Sequence, residues 1–243
     1  MTVLKGLAGL FVLAGLWDLL RIVHVLPPTA APASWDVAAS LADPDVRGGL
    51  AAAVLDTMTA WTGGMLLAAV AGITAGLLAG LSRWADASTR VVVEFLRPIP
   101  AVALIPIAIL TAGIGTGMQA VLIAFACLWP LLIATRFGVR DVDPLLVETG
   151  RILGVAGPRL VASVTVPAAI PAIRTGLRTA ASLGIVVAVA VELVAGSPGL
   201  GWFVSQRLQA GQVAAAYTGI IAAGLLGWAI HALFDLTSTK ARS

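Results

Sequence analysis

The sequence predicts an all-α, polytopic membrane protein with about six transmembrane helices, and three observations indicate this class. Hydrophobic residues make up 59% of the 243 residues and charged residues only 11%, against about 25% charged in ordinary soluble domains. Most charges fall between long apolar runs, and the basic ones concentrate in alternate gaps between those runs. Because the bilayer core offers no water to backbone N–H and C=O groups, such runs are expected to cross it as helices.

The bounds of the six helices are read from the gaps between charged residues. A span needs about 20 residues to cross roughly 30 Å of hydrocarbon. The uncharged stretch 98–135 is too long for one span, and it is expected to break at the sequence Gly-Ile-Gly-Thr-Gly that covers 113–117. The predicted helices are therefore 4–23, 58–81, 98–113, 117–137, 170–194 and 215–236.

The lysines and arginines predict the orientation of the chain in the membrane. With the N-terminus inside, twelve of them fall in cytoplasmic segments and three, Arg21, Arg47 and Arg207, fall outside. This asymmetry is typical of positive-inside topology, and it places both termini and the long loop of about 138–168 in the cytoplasm. The first helix is similar to a signal peptide, but the lack of a clear small-residue cleavage site favours an uncleaved helix.

Composition and motif content exclude several function classes. The net charge of +3, without a run of basic residues, argues against a nucleic-acid partner. The single Cys127 lies in an apolar run, so it provides neither a disulfide framework nor a metal cluster and is expected to fill space. The sequence contains no GxSxG, HExxH or GxxxxGKS/T motif. We therefore predict no catalytic residue, no metal site and no ATPase site in this chain.

The second predicted helix carries small residues at every fourth position, namely Ala68, Gly72, Gly76 and Gly80. This spacing places them on one face, where another backbone can approach closely. The pattern fits either a specific dimer seam or a generic span rich in glycine and alanine, and the sequence does not decide between the two.

The long cytoplasmic loop is polar enough to leave the bilayer, yet it carries helix signals. Asp143 is a candidate N-cap with Pro144 at the first helical position. Gly154 suits the left-handed conformation that ends a helix. A second short helix is expected from Pro158 to Val164, followed by a rigid break at Pro167. Two short helices joined at a glycine would form a compact protrusion that a soluble partner can hold.

The same loop carries a motif of fixed spacing. Glu148 is followed by two small residues, by Gly154 six positions later, and by Val-Thr-Val-Pro at 164–167. This resembles the EAA motif of permease subunits of ATP-binding-cassette (ABC) importers, which forms the loop where such permeases meet their ATPase. Thr149 and Gly150 stand where the motif has alanines, and a valine replaces its usual leucine. The resemblance implies an ATPase-coupling role for Glu148, Thr149, Gly150, Arg151, Gly154, Val166 and Pro167.

The resemblance covers roughly residues 45–237 and indicates the nitrate, sulfonate and taurine branch of these permeases. Arg-Pro-Ile-Pro at 97–100, Pro-Ala-Ala-Ile-Pro at 167–171 and Gly-Leu-Gly-Trp at 199–202 match the pattern of that branch. The fold that this implies is the type I ABC importer permease fold, with residues 1–243 as one transmembrane permease domain and the loop as its coupling segment.

The function implied by the resemblance is passage of a small anionic solute across a bacterial plasma membrane. The implied partners are two ABC ATPase subunits, an extracytoplasmic substrate-binding protein and a second permease copy, with an identical copy preferred to a different one. The permease would bind no cofactor directly, because ATP binds to the partner ATPase. It would therefore be a transport subunit and not an enzyme.

Three polar residues within the predicted helices, Glu192, Ser182 and Gln119, are candidates for the translocation path or a gate. An ionisable residue inside a span is a functional candidate by default. Glu192 lies near the outer end of the fifth helix, so an anchoring role and a role as gate or substrate contact both stay open. Ser182 and Gln119 equally fit hydrogen bonds between packed helices.

Other classes of function fit the sequence less well. A secondary transporter usually shows inverted repeats with interrupted helices at matching positions, and no convincing repeat is present. An intramembrane enzyme needs clustered acids, histidines or a nucleophile, whereas the acids here are scattered over helix ends and loops. Within the family that the sequence resembles, import of a vitamin precursor or an aromatic acid stays an alternative to a small anion.

Overall fold

The computed structural model of the protein describes residues 2–25, 27 and 29–239, and every regular element in these ranges is helical. The all-α class is therefore confirmed. The predicted tail from Lys240 and the residue Pro28 lie outside the described residues. The α-helices are α1 (Thr2–Ile22), α2 (Ser34–Ser40), α3 (Pro44–Leu81), α4 (Arg83–Leu96), α5 (Ile105–Ala112), α6 (Thr116–Arg140), α7 (Pro144–Ile152), α8 (Gly157–Leu160), α9 (Val166–Ala195), α10 (Leu200–Gln209) and α11 (Val213–Thr239).

Several of these helices are long and apolar enough to span a membrane, which confirms a polytopic membrane protein. Among the described residues, four segments meet this condition: Pro44–Leu81, Thr116–Arg140, Gly157–Ala195 and Val213–Phe234. A fifth crossing results if α4 and the segment Ala101–Ala112, which meet at 80°, form one bent span. α1 occupies the position of the predicted first helix, and the total of about six stays a prediction.

α3 begins at Pro44, well before the predicted start near residue 58. Asp43 caps the helix, because its side chain accepts a hydrogen bond from Asp45 N at 2.9 Å, and Pro44 has the fixed φ that suits the first helical position. The sequence prediction placed the start at the first uncharged turn. A charge limits the part of a helix that lies in hydrocarbon, but it does not end the helix.

The predicted helix 98–113 is bent and broken rather than a straight span. α4 is strongly amphipathic, and α5 follows it after a 3-10 turn at Ala101–Leu104. Pro98 and Pro100 lie at the bend, where each removes a backbone donor and disfavours helix in the residue before it. The break predicted at 113–117 is present, since Gly113 ends α5 with a φ of +70° and α6 begins shortly after it.

α3 and α6 form the closest helix pair, and the small residues of α3 lie between them. A Cβ atom added to Gly72, Gly76 or Gly80 would lie 2.9 Å or less from atoms of α6. Gly76, for example, faces Thr135 and the carbonyl oxygen of Leu132. The four-residue pattern is therefore an interhelical seam within one chain, which is neither of the two interpretations that the sequence analysis left open.

α6 also packs closely on α9, so these two helices and α3 form the centre of the bundle. A Cβ atom on Gly138 would lie 2.5 Å from Ala172 Cβ, and one on Gly176 would lie 2.7 Å from Ala134 Cβ. Cys127 is fully buried in this centre and its Sγ donates to the carbonyl oxygen of Ala180 at 3.2 Å, in keeping with the expected space-filling role.

α9 is continuous with α8 through a π turn at Val161–Thr165, so the helical segment runs from Gly157 to Ala195. The predicted rigid break at Pro167 is wrong, and so is the predicted helix start near residue 170. Val166 N bonds to Val161 O, a five-residue spacing that widens the helix just before the proline. A proline removes one N–H donor from a helix, and this wider turn accommodates the missing bond without ending the helix.

Candidate functional site

The protrusion predicted from the loop is built on α7, whose two ends carry the expected caps. Asp143 Oδ1 accepts a hydrogen bond from Leu145 N at 2.8 Å, and Pro144 is the first helical residue. At the other end Gly154 adopts a φ of +80°. Its N–H bonds to Arg151 O, and the next N–H, of Val155, bonds to Gly150 O. These two bonds form a Schellman motif, which fixes the direction in which the chain leaves α7.

Gly150 lets α7 pack closely on the segment that follows it. It is buried, and a Cβ atom at this position would lie 2.7 Å from Leu160 Cδ1 and 3.4 Å from Val164 Cγ2. A larger side chain would therefore push α7 away from α8 and the π turn. The motif needs a small residue here because two helical segments meet at this point.

The outward side of α7 combines charge with exposed apolar surface. Ile152 and Leu153 expose 81% and 76% of their surface, and Leu145 and Leu146 are also exposed. Glu148 lies on the same helix and is exposed as well. We call these five residues the α7 surface. Large exposed apolar side chains mark a contact surface when they are contiguous. The sequence analysis did not single out Leu145 or Leu146.

The remaining predicted coupling residues lie on or just beyond this protrusion. Thr149 and Arg151 are exposed on α7, and Thr149 Oγ1 bonds back to Leu145 O at 2.8 Å. Val166 and Pro167 lie in the first turn of α9, directly after the π turn. α8 is continuous with α9, and α7 packs on α8 and the π turn at Gly150, so a displacement of α7 would act on α9 through this contact.

At the opposite end of α9, Glu192 lies under the loop that leads to α10. It is fully buried, and its Oε2 accepts a hydrogen bond from Gly201 N at 2.9 Å. Gly201 is in the first turn of α10, where unpaired N–H groups and the helix dipole favour a carboxylate. Glu192 Oε1 has no hydrogen-bond partner among the described residues.

Two further buried polar residues hold the same loop from other helices. Thr57 Oγ1, on α3, accepts a hydrogen bond from Leu200 N at 2.9 Å. Gln119 Nε2, on α6, donates to Ser197 Oγ at 2.6 Å and to Pro198 O at 2.8 Å. The sequence analysis did not single out Thr57, whose partner is 143 positions away in the chain.

The glycines of this loop allow the close approach to Glu192. Gly199 has a φ of +145°, and a Cβ atom there would overlap the carboxyl group of Glu192. A Cβ atom on Gly201 would overlap the backbone of α9 at Val189. The two glycines of the Gly-Leu-Gly sequence therefore allow the loop and the start of α10 to pack closely against α9 and the Glu192 carboxyl group.

Ser182 does not belong to this cluster, although the sequence analysis grouped it with Glu192 and Gln119. Its Oγ lies 3.4 Å from His231 Nδ1 on α11, and His231 Nε2 lies 2.6 Å from Arg178 Nη2. The arginine can only donate, so this contact uses Nε2 as the acceptor. Ser182 thus belongs to a polar contact between α9 and α11.

A cavity of about 480 Å³ opens between the bend after α4, α6 and α9. Its polar side chains include Arg97 and Thr179, and its walls include Trp129 and Leu183. The sequence analysis did not identify this cavity, since its lining comes from three separate stretches of chain. No group of three or more His, Cys, Asp or Glu side chains among the described residues is arranged to hold a metal ion.

Comparison with known families supports the resemblance that the motifs indicate. Residues 72–239 match the family described as binding-protein-dependent transport system inner membrane component. The match includes α7, the π turn, α9 and the loop that Glu192 holds.

Individual relatives are about 30% identical over much of the chain. A nitrate import permease protein of Leptolyngbya laminosa is 29% identical over 95% of this chain and 84% of its own length. A putative aliphatic sulfonates transport permease protein of Bacillus subtilis is 30% identical over 92% of this chain and 81% of its own. A bicarbonate transport system permease protein of Synechococcus elongatus is 33% identical over 68% of this chain and 59% of its own.

Proposed function

The chain belongs to the binding-protein-dependent transport system inner membrane component family, and we propose that it forms the translocation path of an importer driven by a separate ATPase. It is an ABC importer permease of the branch that contains the nitrate, sulfonate and bicarbonate permeases. The proposal adds the partners, the solute class and the roles of individual residues. The observation that carries it is the α7 surface, whose apolar side chains are left exposed on a helix that is capped at both ends.

The α7 surface is the proposed contact with the ATPase. Its exposed leucines and isoleucine would fill a groove of the partner, and Glu148 would provide a charged contact at its edge. Gly154 fixes the direction of the chain at the end of α7, and Gly150 lets α7 pack closely on α8. Val166 and Pro167, in the first turn of α9, would transmit the movement of the protrusion into that helix. Two ATPase subunits that close on ATP would draw two such protrusions together and shift the helices between inward-facing and outward-facing states.

A second copy of this chain and an extracytoplasmic substrate-binding protein complete the proposed complex. The excess of basic residues on one side supports a topology with both termini in the cytoplasm of a bacterial cell. Among the described residues, the outer segments form the short helices α2 and α10 and the first turns of α3. A separate receptor would therefore select the solute, and ATP would bind to the ATPase and not to this chain.

The solute class that we propose is a small inorganic or organic anion. The relatives are described as carrying nitrate, sulfonates and bicarbonate, all of which are small oxyanions. In this chain Arg97 lies at the cavity between α6 and α9, and a guanidinium suits an oxyanion. Trp129 and Leu183 line the same cavity. These apolar walls favour the alternative solute, an aromatic acid or a vitamin precursor.

We assign Glu192 and Gln119 to anchoring rather than to the path. Both side chains are buried and hydrogen-bond to the loop before α10. A free carboxylate in the path would also repel an anion, whereas one held at a helix N-terminus is stabilised by the N–H groups there. Ser182 lies beside His231, and we propose that it supports the packing of α9 against α11.

The test is reconstitution of the chain in vesicles, alone and with candidate partners. By itself it should show neither ATP hydrolysis nor concentrative uptake. A cognate ATPase and a loaded binding protein should restore both, and the loaded binding protein should stimulate hydrolysis because delivery and helix movement share one equilibrium. Radiolabelled nitrate, bicarbonate, taurine and benzoate would distinguish a small anion from an aromatic acid. Uptake by the isolated chain in response to an ion gradient would contradict the proposal and favour a secondary transporter.

A further inference from the structure

A second cavity, of about 470 Å³, lies between α4 and the end of α6 that leads to α7. Four arginines line it: Arg90 and Arg97 from α4 and the residues just after it, and Arg136 and Arg140 from α6. We call it the α4–α6 cavity. Only Arg97 is shared with the cavity that we assign to the translocation path. The proposed function gives the α4–α6 cavity no role.

The charges around the α4–α6 cavity do not balance. Asp86, on α4, contacts Arg136 directly, lies 3.0 Å from Arg140 and reaches Arg90 at 3.9 Å. Glu94 is the second carboxylate nearby and lines the cavity itself. The positive charges still exceed the negative ones when Asp141, which lines the neighbouring cavity beside Arg140, is counted with these two carboxylates. Arg90 and Arg140 keep 60% and 36% of their side chains exposed, so both can reach a ligand.

One wall of the α4–α6 cavity is apolar. Val93 comes from α4, and Leu132, Ile133 and Phe137 come from α6. A free inorganic anion gains nothing from these side chains. A ligand with a negative head and a hydrocarbon tail would use both the arginines and this wall.

The opposite face of α4 indicates that this helix lies at the membrane surface. Trp84 exposes 87% and Phe95 76% of its surface, and Val91 and Val92 are exposed beside them. An amphipathic helix with aromatic residues on one face and arginines on the other lies in the headgroup region of a bilayer. The arginines of the α4–α6 cavity would then stand at the level of the lipid phosphates.

We propose that the α4–α6 cavity binds an anionic phospholipid, with the phosphate between Arg90 and Arg140 and one acyl chain along Leu132 and Phe137. Anionic lipids are abundant in the cytoplasmic leaflet, and basic pockets between helices on that side are suited to their headgroups. A lipid bound there would join α4 to the end of α6 that leads to α7. The inference rests on the membrane setting of the chain and on the proposed cytoplasmic position of this end of α6, and it does not depend on the solute.

The test measures retention of phosphatidylglycerol by the full-length chain in neutral detergent, read by native mass spectrometry. Arg90→Gln and Arg140→Gln should each weaken binding by about five-fold, since one arginine near an anionic surface contributes about 1 kcal/mol. Asp86 keeps its contact with Arg136 in both variants, so the helix pair should stay packed. Arg83→Gln is the matched control, because it removes an arginine of α4 that does not line the cavity. Arg140→Lys should retain most of the binding, because lysine keeps the charge.

The controls separate a lipid site from a site for free anions. Phosphatidylcholine should bind much more weakly than phosphatidylglycerol, and inorganic phosphate in large excess should not displace the lipid. Displacement by inorganic phosphate would show a free-anion site and overturn the proposal. Equal loss in Arg83→Gln, or full binding in the Arg90→Gln/Arg140→Gln double variant, would overturn it as well.

Discussion

Gly76 determines how closely α3 and α6 approach each other. A Cβ atom there would lie 2.6 Å from Thr135 Cβ and 2.7 Å from the carbonyl oxygen of Leu132. Gly76→Ala should therefore destabilise the bundle by about 1–3 kcal/mol, as overpacking usually does. Gly224→Ala in α11 makes the same chemical change where no atom lies within 4 Å. Thermal unfolding in detergent should show a lower Tm only for Gly76→Ala, and equal Tm values would contradict the seam.

Two substitutions of Glu192 distinguish a role as an anchor of the loop from a role as a gate. Glu192→Gln keeps an oxygen that can accept from Gly201 N, so folding and uptake should stay near those of the wild type. Glu192→Ala leaves that buried N–H unpaired, which costs about 1–3 kcal/mol, and its Tm should fall. Both variants would be compared by Tm and by uptake in the reconstituted complex. Loss of uptake in Glu192→Gln at normal Tm would show that the charge itself is required.

At the scale of the element, α7 is useful to a partner only if its direction is fixed, and Gly154 fixes it. Gly154→Val should strain the turn by about 1–3 kcal/mol, because β-branched residues rarely accept the observed φ of +80°. Gly154→Asn is the control, since asparagine tolerates this region. Uptake and ATPase association should fall in the valine variant and largely persist in the asparagine variant. Similar results in both would mean that coupling does not depend on this turn.

Glu148→Lys tests the charged edge of the α7 surface without altering its fold. The side chain is exposed, so the substitution should leave insertion and Tm unchanged. A reversed charge at the proposed contact should weaken ATPase association, because like charges at an interface repel. Co-purification of the ATPase at increasing salt would measure this. Wild-type association at low salt, with normal expression, would exclude Glu148 from the contact.

Elements with local signals could be predicted from the sequence. Asp143 and Pro144 are recognisable helix-start residues and predict where α7 begins, and Gly154 predicts where it ends. The pair Asp43 and Pro44 carries the same start signal for α3, and the prediction missed it because span bounds were read from charges alone. The continuity of α9 through Pro167 had no local signal, since a π turn compensates for the proline.

For the candidate site too, contacts that are local in the sequence could be predicted and contacts between distant segments could not. The spacing of the motif indicated the residues of α7, because they are contiguous in the chain. Thr57 and Gln119 meet the loop before α10 only after α3, α6 and α9 have packed. Such contacts depend on which faces of the helices meet, and a pattern within one helix does not contain that information.

At the scale of the whole molecule, α9 joins the two places where the chain is tightly held. One end continues without a break into α8, on which α7 packs, and the other ends at the buried cluster around Glu192. A movement imposed on α7 would therefore pass by packing to α8 and then reach the far side of the bundle through the continuous helix from Gly157 to Ala195. The orientation of the chain in the membrane matters for this arrangement, because the protrusion can meet an ATPase only on the side where ATP is present.

That direction can be measured by labelling single cysteines in intact cells with a membrane-impermeant maleimide. Ala39→Cys and Gln209→Cys should react from outside, whereas Ser88→Cys and Asp141→Cys should react only after the membrane is opened; all four positions are exposed. The native Cys127 is fully buried, so the wild-type chain serves as a low background. The expectation rests on twelve basic residues in the predicted inner segments against three in the outer ones. Labelling of Asp141→Cys from outside would invert the topology and place α7 where no ATPase can reach it.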